Sequence, residues 1–335
     1  MEKPRNGLPQ PAGRHSVKCP LTSTYKFANF PMNGVLVVDK PAGPTSHDVV
    51  NRVRRILQQR AVGHLGTLDP LATGVLPMVV GNLTRLAQFY LASEKTYEGV
   101  IRFGFATDTY DAEGEATGPQ QAVRLALSQA RELAAPFSGV VEQVPPPFSA
   151  KKIQGVPAYK LARKHEDVPL KPVQVEIKEF EILGVEGDRA EFRARVAAGT
   201  YMRSVAHEMG QRMGCGAHLQ SLRRTAAGEF EIADAHSLEE LDAAVASGRI
   251  EELFIHPRKL LPLFPSVTVN DESAAHIRSG RAVNLPELSS ARLVKVFYGQ
   301  RELIAIATRV AGTLFHPKIV LAAEPVAQLA SGRRK

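Results

Sequence analysis

Asp69 is the only acidic residue in the stretch GHLGTLDPLATGVLP, residues 63–77. Glycine lets a backbone approach a ligand closely and proline stiffens the chain, so a turn between Gly66 and Pro70 can hold this carboxylate in one geometry. An ionised carboxylate can act as a covalent nucleophile at an electrophilic sugar or ring carbon. An aspartate that merely accepts hydrogen bonds from its own turn amides has the same local sequence. The stretch alone therefore leaves a catalytic and a structural carboxylate both open.

The sequence lacks the common motifs for cofactors and serine hydrolases. GHLGTL does not have the Gly-Lys-Ser/Thr ending of a phosphate loop, and no GxGxxG opens a helix after a strand. His64 and Asp69 have no further ligand close in sequence, and His-x-x-x-His, Cys-x-x-Cys and Gly-x-Ser-x-Gly patterns are absent. The sequence therefore predicts neither a nucleotide cofactor nor a metal site.

The composition describes a basic chain with enough apolar residues for a core. Of 335 residues 44% are hydrophobic, and Lys and Arg outnumber Asp and Glu by 42 to 34, a net charge of +8. This charge favours a polyanionic partner such as nucleic acid, although a merely basic soluble protein has the same balance. Two cysteines exclude a disulfide framework and favour a cytoplasmic location. We expect residues 1–31 to be a flexible basic N-terminal tail, and no membrane segment.

Strands and helices must hold the Asp69 turn in place. The apolar run Val35–Val38 predicts a buried strand, and the capping-box spacing of Thr45 and Asp48 predicts a helix after it. From Tyr97 onward, apolar and polar residues alternate with a period of two, which predicts a strand. A further helical segment is expected near residues 121–135.

Arg203 falls in the first turn of a helix predicted from GTYMRSVAHEMGQRMGCG, with Thr200 as N-cap and Gly214 as its end. The positive end of the helix dipole disfavours a cation there. We therefore expect an anionic group opposite Arg203, either a carboxylate or a phosphate. An arginine beside Asp69 would lower the pKa of the carboxyl and keep it ionised, so Arg203 is the candidate partner.

Three segments organise the rest of the chain. The segment at about 139–172 is basic and bounded by prolines. We expect it to be a largely irregular loop, which is either a mobile arm that grips the substrate or an inert insertion. Residues 173–183 and 189–198 alternate as an antiparallel pair joined by a Gly-Asp turn. A boundary near Pro265 separates a main domain from a small β-rich module at 266–325.

Six ordered blocks of this sequence resemble the TruB class of tRNA pseudouridine synthases, over roughly residues 32–235. One departure is Phe148, where many relatives have tyrosine. The blocks are NGVLVVDKPAGPTS, GHLGTLDPLATGVLP, KTYEGVIRFGFATDTYDAEG, PPPFSAKKIQGVPAYKLAR, GTYMRSVAHEMG and CGAHLQSLRR.

The resemblance implies an isomerase that converts uridine 55 in the T loop of tRNA to pseudouridine, breaking the N1–C1′ bond and forming the C5–C1′ bond. It implies no metal, nucleotide or redox cofactor. The implied α+β fold has a catalytic domain at 32–265, built on a mixed, mainly antiparallel sheet, and a small C-terminal PUA-like RNA-binding module at 266–325. The T arm of tRNA is the expected partner. We predict no protein partner, and a monomer.

The resemblance also assigns the site residues. Asp69 matches the catalytic aspartate, Tyr97 the tyrosine that stacks on the base and is implicated in proton removal, and Arg203 the arginine paired with the aspartate. Arg223 and Arg224, after the pocket, are expected to contact phosphates. The expected substrate-binding residues are His64, Asp111, Tyr201, Leu222, Lys40, Lys151 and Lys152.

Two other functions stay open at this point. One is a tRNA-binding protein that keeps the pocket but does no chemistry. The other is a cofactor-free nucleoside hydrolase or transglycosidase, which would release free base; such enzymes usually use two carboxylates, and here Asp69 has only Asp111 as a speculative second.

Overall fold

The protein is an α+β molecule, as predicted, with one large mixed sheet and one smaller β-sheet. The structure is a computed structural model that describes residues 32–149, 152–153, 156–157, 161, 170–288 and 290–321. The predicted tail at 1–31, Lys151 and most of the basic loop lie outside these residues. Lys152 is described only by its backbone, within a short strand.

The large sheet has ten strands in the described part of the chain, and most neighbouring strands are antiparallel. Its main path runs β12-β1-β3-β10-β4-β9-β8-β5, with β2 beside β3 and β11 beside β10. Only the β1–β12 and β3–β10 pairs are parallel among those described. The bounds are β1 Gly34–Lys40, β2 Val62–His64, β3 Thr73–Val80, β4 Lys95–Phe103, β5 Gly139–Gln143, β8 Val173–Glu186, β9 Arg189–Val196, β10 Ala217–Ala227, β11 Phe230–Glu231 and β12 Ala235–His236. Between β5 and β8, a two-stranded hairpin is formed by β6 Lys152–Ile153 and β7 Val156–Pro157.

Helices cover one face of this sheet. In the described ranges they include α1 Ser46–Ile56, α2 Leu127–Ala134, α3 Met202–Met213 and α4 Leu238–Ala246. The Thr45–Asp48 capping box at α1 is confirmed. The left-handed Gly214 ends α3, also as predicted. The predicted N-cap of α3 is wrong by one residue: Tyr201 is the N-cap, and the Thr200 hydroxyl donates to the Ala197 carbonyl instead.

The other sequence predictions for this domain are largely confirmed. The period-two pattern at Tyr97 lies in β4, and the Gly187–Asp188 turn joins β8 to β9. The helix expected near 121–135 begins only at Leu127, and residues 121–126 form no regular element.

The C-terminal sheet has five strands in the order β13-β15-β16-β17-β14. Their bounds are β13 Ser266–Val269, β14 Val283–Asn284, β15 Leu293–Tyr298, β16 Glu302–Ala311 and β17 Leu314–Val320, with helix α5 at Asp271–Arg278. The C-terminal part of the chain is therefore β-rich, as predicted.

Apolar side chains fill both faces of the large sheet. One cluster packs α1, α2 and α3 onto it and includes Val50, Phe103 and Val205. A second cluster brings Val35 and Val37, on the opposite face of β1, together with residues of the C-terminal sheet. The loop after β2 contributes Leu65 and Leu68 to these buried clusters.

Candidate active site

The loop between β2 and β3 carries Asp69, and neighbouring elements hold its backbone. The Ser46 hydroxyl, at the start of α1, donates to the Leu68 carbonyl and accepts from the Leu68 amide, both at 2.8 Å. The Gly43 amide donates to the Pro70 carbonyl at 2.9 Å. The turn therefore places the carboxylate in one position, as the glycine and proline predicted.

Two buried cations complete this support. Lys40, which is 0% exposed, donates its ammonium hydrogens to the carbonyls of Pro41, Pro70 and Ala72 at 2.8–3.1 Å. Burial lowers the pKa of Lys40 to about 8, so the group remains mostly charged at neutral pH. The substrate contact predicted for Lys40 needs correction, because its buried ammonium is already engaged by the backbone of the loop.

Arg224 supports the other side of the loop. Its guanidinium donates to the carbonyls of Gly66, Thr67 and Val75 at 2.7–3.2 Å, and only 1% of the residue is exposed. The Arg224 guanidinium is thus engaged by the backbone of the loop, although the residue also lines the pocket, and its phosphate contact stays a prediction. Its neighbour Arg223 is partly exposed and pairs with Asp39 at 2.7 Å.

Arg203 reaches Asp69 from the first turn of α3. Its Nε lies 2.9 Å from Asp69 Oδ2 in an ion pair, and its Nη1 lies 3.6 Å from Asp111 Oδ2. The guanidinium also donates to the carbonyls of Thr109 at 3.1 Å and Phe148 at 3.0 Å. The anionic group expected opposite Arg203 is thus a pair of carboxylates.

Burial and charge act on Asp69 in opposite directions. Burial raises the pKa of its carboxyl, and the nearby Asp111 carboxylate adds to the rise, while Arg203 and Lys40 oppose it. Arg203 lowers the pKa of Asp69 as the sequence predicts, but burial raises it more, so the net direction is upward. Even so, 38% of the Asp69 side chain faces the pocket, where a ligand can reach it.

A pocket of about 280 Å³ opens above Asp69. Its walls include Tyr97 from β4, Leu222 from β10 and Tyr201 at the start of α3. β4 and β10 are directly paired, so sheet register places Tyr97 and Leu222 at the same wall. The structure therefore brings together five of the predicted residues: Asp69, Tyr97, Arg203, Tyr201 and Leu222.

Asp111 and His64 lie outside the residues that line this pocket. Asp111 is buried, and its carboxylate accepts from the Thr109 hydroxyl at 2.6 Å and the Glu113 amide at 3.1 Å. Its engagement with Arg203 favours a positioning role over the predicted RNA contact. His64 Nδ1 accepts from the Gly66 amide at 3.3 Å, and burial lowers the pKa of His64, so its ring is neutral at neutral pH.

Sequence reasoning missed two residues at the site. Lys95 lines the pocket and lies two positions before Tyr97 in β4, so the period of two could have found it. The Gln143 amide group donates to the Tyr201 carbonyl and accepts from the Tyr201 amide, at 3.0 and 2.8 Å. No local signal marks Gln143, since 58 residues separate it from its partner.

Comparisons with known proteins identify the family to which the chain is similar. Residues 54–202 match the family model of TruB family pseudouridylate synthase (N terminal domain), and residues 203–262 match that of the tRNA pseudouridylate synthase B C-terminal domain. The protein named tRNA pseudouridine synthase B from Solibacter usitatus is 49% identical over 293 residues, which cover 87% of this chain and all of the relative. Its namesake from Aquifex aeolicus is 38% identical over 292 residues, with the same coverage.

A solved structure shares the fold. The crystal structure of the archaeal box H/ACA sRNP Nop10-Cbf5 complex aligns with a TM-score of 0.64 and 25% identity, covering 87% of each chain. Both the resemblance seen in the sequence and the predicted fold class are thereby confirmed. The chain belongs to the TruB family of pseudouridylate synthases.

Proposed function

We propose that this protein isomerises uridine 55 in the T loop of tRNA to pseudouridine. The observation that carries the proposal is Asp69, held in an ion pair with Arg203 at 2.9 Å beneath a pocket walled by Tyr97, Tyr201 and Leu222. Two relatives, both named tRNA pseudouridine synthase B, match this chain over their whole length, which supports tRNA as the substrate.

The target base must leave its stack to reach Asp69. Flipping a nucleotide costs a few kcal/mol in lost stacking, which contacts in the pocket must offset. Stacking on an aromatic ring contributes about 1–3 kcal/mol per base, and the Tyr97 ring is available at the pocket wall. His64, in β2 before the loop, is proposed to help displace the nucleotide from the RNA stack.

The chemistry uses the Asp69 carboxylate. It attacks the nucleotide at C1′ of the sugar or at C6 of the ring, and both routes require the ionised form. The N1–C1′ bond breaks, the uracil turns within the pocket, C5 bonds to C1′, and the bond between Asp69 and the nucleotide breaks, which returns the free carboxylate. C5 then loses its hydrogen as a proton, and Tyr97 takes part in this removal. N1 gains a proton, so atoms and charge balance without a redox step.

Binding of tRNA is proposed to rest on charge and RNA shape. The chain carries a net charge of +8, and the segment around Lys151 and Lys152 is basic, so these side chains are proposed to contact phosphates of the T arm. Splayed bases in a folded loop are the usual targets of specific RNA recognition. The C-terminal sheet is proposed to act as a PUA-like RNA-binding module, and the enzyme to work in the cytoplasm as a monomer.

The test maps the product in an unmodified tRNA transcript. After incubation with the protein, carbodiimide treatment and primer extension should give a stop at position 55, and a transcript with cytidine 55 should give none. A stop elsewhere would contradict the position. Free uracil would support a hydrolase, and tRNA bound without any product would support a binding protein.

A further inference from the structure

Outside the pocket, an aromatic stack joins the loop of Asp111 to helix α3. The rings of Tyr110 and His207 lie with centroids 3.7 Å apart and an interplanar angle of 11°. Both residues are half-buried. Nothing in the chemistry described above uses either side chain.

The position of the stack connects it to Arg203. Tyr110 lies between the two residues of the loop that Arg203 contacts, the Thr109 carbonyl at 3.1 Å and the Asp111 carboxylate at 3.6 Å. On the helix, His207 follows Arg203 by four residues, so both side chains lie on the same face. The Tyr110–His207 stack and the Arg203 guanidinium therefore connect the loop that carries Asp111 to two adjacent turns of α3.

The backbone at Tyr110 has an unusual conformation that determines where the ring lies. Its φ is +66°, a left-handed conformation that a bulky residue rarely adopts. Two hydrogen bonds hold the peptide there: the Tyr110 amide donates to Thr107 at 3.3 Å, and the Tyr110 carbonyl accepts from the Leu219 amide at 3.0 Å. This turn directs the Tyr110 ring onto His207.

We propose that the Tyr110–His207 stack is a positioning pair, which sets the distance between the loop at residues 107–113 and α3 and so aims the Arg203 guanidinium at Asp69. The proposal rests on the proposed function, since its effect is on the isomerisation step. Neither Tyr110 nor His207 lines the pocket above Asp69. Loss of the stack lets the loop move from the helix, so the Asp111 and Thr109 contacts no longer fix Arg203.

The test compares variants that separate the ring from the backbone. Tyr110→Gly removes the ring while glycine accepts the left-handed backbone, and Tyr110→Phe keeps the ring. His207→Ala removes the other side of the stack, and His207→Phe restores an aromatic partner. Glu208→Ala is the matched control, because it removes an ion pair with Arg212 on the same helix and leaves both rings of the stack in place.

The readouts are the single-turnover rate at saturating tRNA, its dependence on pH, and the Kd for tRNA. Tyr110→Gly and His207→Ala are each expected to lower the rate about tenfold or more, the scale of loss for a slightly misplaced catalytic group. Each variant should also shift the acid limb of the pH–rate profile to higher pH. The reason is that a displaced Arg203 lowers the pKa of Asp69 less than it does in the wild type. The Phe variants and Glu208→Ala should match the wild type, and the double variant should lose no more than either single one.

Three results would overturn the positioning role. One is a Tyr110→Gly variant whose single-turnover rate and acid limb of the pH–rate profile equal those of the wild type. Another is a normal rate with a weakened tRNA Kd, which would make the ring an RNA contact. The third is equal loss in Tyr110→Gly and Tyr110→Phe, which would exclude stacking as the cause. Inactivity of the wild type itself would instead refute the proposed function.

Discussion

At the scale of single residues, two opposing effects act on the pKa of Asp69. Burial and the Asp111 carboxylate raise the pKa of its carboxyl, while Arg203 and Lys40 oppose that rise. The proposed attack requires an ionised carboxylate, and the arginine contact favours that form of Asp69 against the effect of burial. We infer that Arg203 both orients and ionises the nucleophile.

Replacing Arg203 with alanine tests this inference through the pH profile. The wild-type single-turnover rate should fall as the pH drops through the pKa of Asp69, which burial raises above its ordinary value. In Arg203→Ala the opposing charge is gone, so the acid limb should move to still higher pH. The rate on the plateau should fall about a hundredfold or more. An unshifted acid limb, or a loss of tRNA affinity that parallels the loss of rate, would contradict the assignment.

Local sequence could single out Asp69 and Arg203 as candidates, because the signals lie within a few residues of each, but it left a structural role for Asp69 open. A carboxylate between Gly66 and Pro70 and a cation in the first helical turn are both visible without a structure. The buried positions of Lys40 and Arg224 were not predictable, since β1 and β10 bury them only after the large sheet forms.

At the scale of elements, the active-site loop is supported from three directions: the Ser46 hydroxyl of α1, Lys40 of β1 and Arg224 of β10. Just after the loop, β3 runs parallel to β10, with Gly74 opposite Arg224. The close approach of these two strands brings the Arg224 guanidinium beneath the carbonyls of the loop.

Gly74 makes that approach possible, and Gly74→Ala tests it. The residue has φ +98°, and a Cβ atom there would lie 2.2 Å from the Arg224 carbonyl oxygen. Strain and overlap should lower the free energy of unfolding by about 2 kcal/mol or more. Urea unfolding measures the change, with Gly118→Ala as control, because no atom lies within 4 Å of a Cβ at that glycine. Equal stability of the two variants would refute the close contact.

At the scale of the whole molecule, the two sheets share apolar packing. Val35 and Val37 of β1 belong to the same buried cluster as Phe297, Ile306 and Ile319 of the C-terminal sheet. The boundary predicted near Pro265 marks a change of sheet, but composition could not show that the cluster continues across it. None of the helices in the described part of the chain has the length and apolar character to cross a bilayer.

Deleting residues 266–335 should therefore affect the catalytic domain. The truncated chain would expose the face of β1 that carries Val35 and Val37 to water, at a cost of about 25 cal/mol for each Å² of apolar surface. We expect a lower Tm and more aggregation than in the full chain, measured by thermal unfolding at matched concentrations. A truncated chain that melts at the temperature of the full chain would show that the shared cluster contributes little.

The most direct test of Asp69 chemistry uses a tRNA transcript with tritium at C5 of uridine. The wild type should release about one equivalent of tritium to water per tRNA, because C5 loses its hydrogen when it bonds to C1′. Asp69→Asn keeps the shape but not the charge, so it should bind the tRNA and release none. Release by Asp69→Asn at the wild-type rate, or no release by the wild type, would contradict the account.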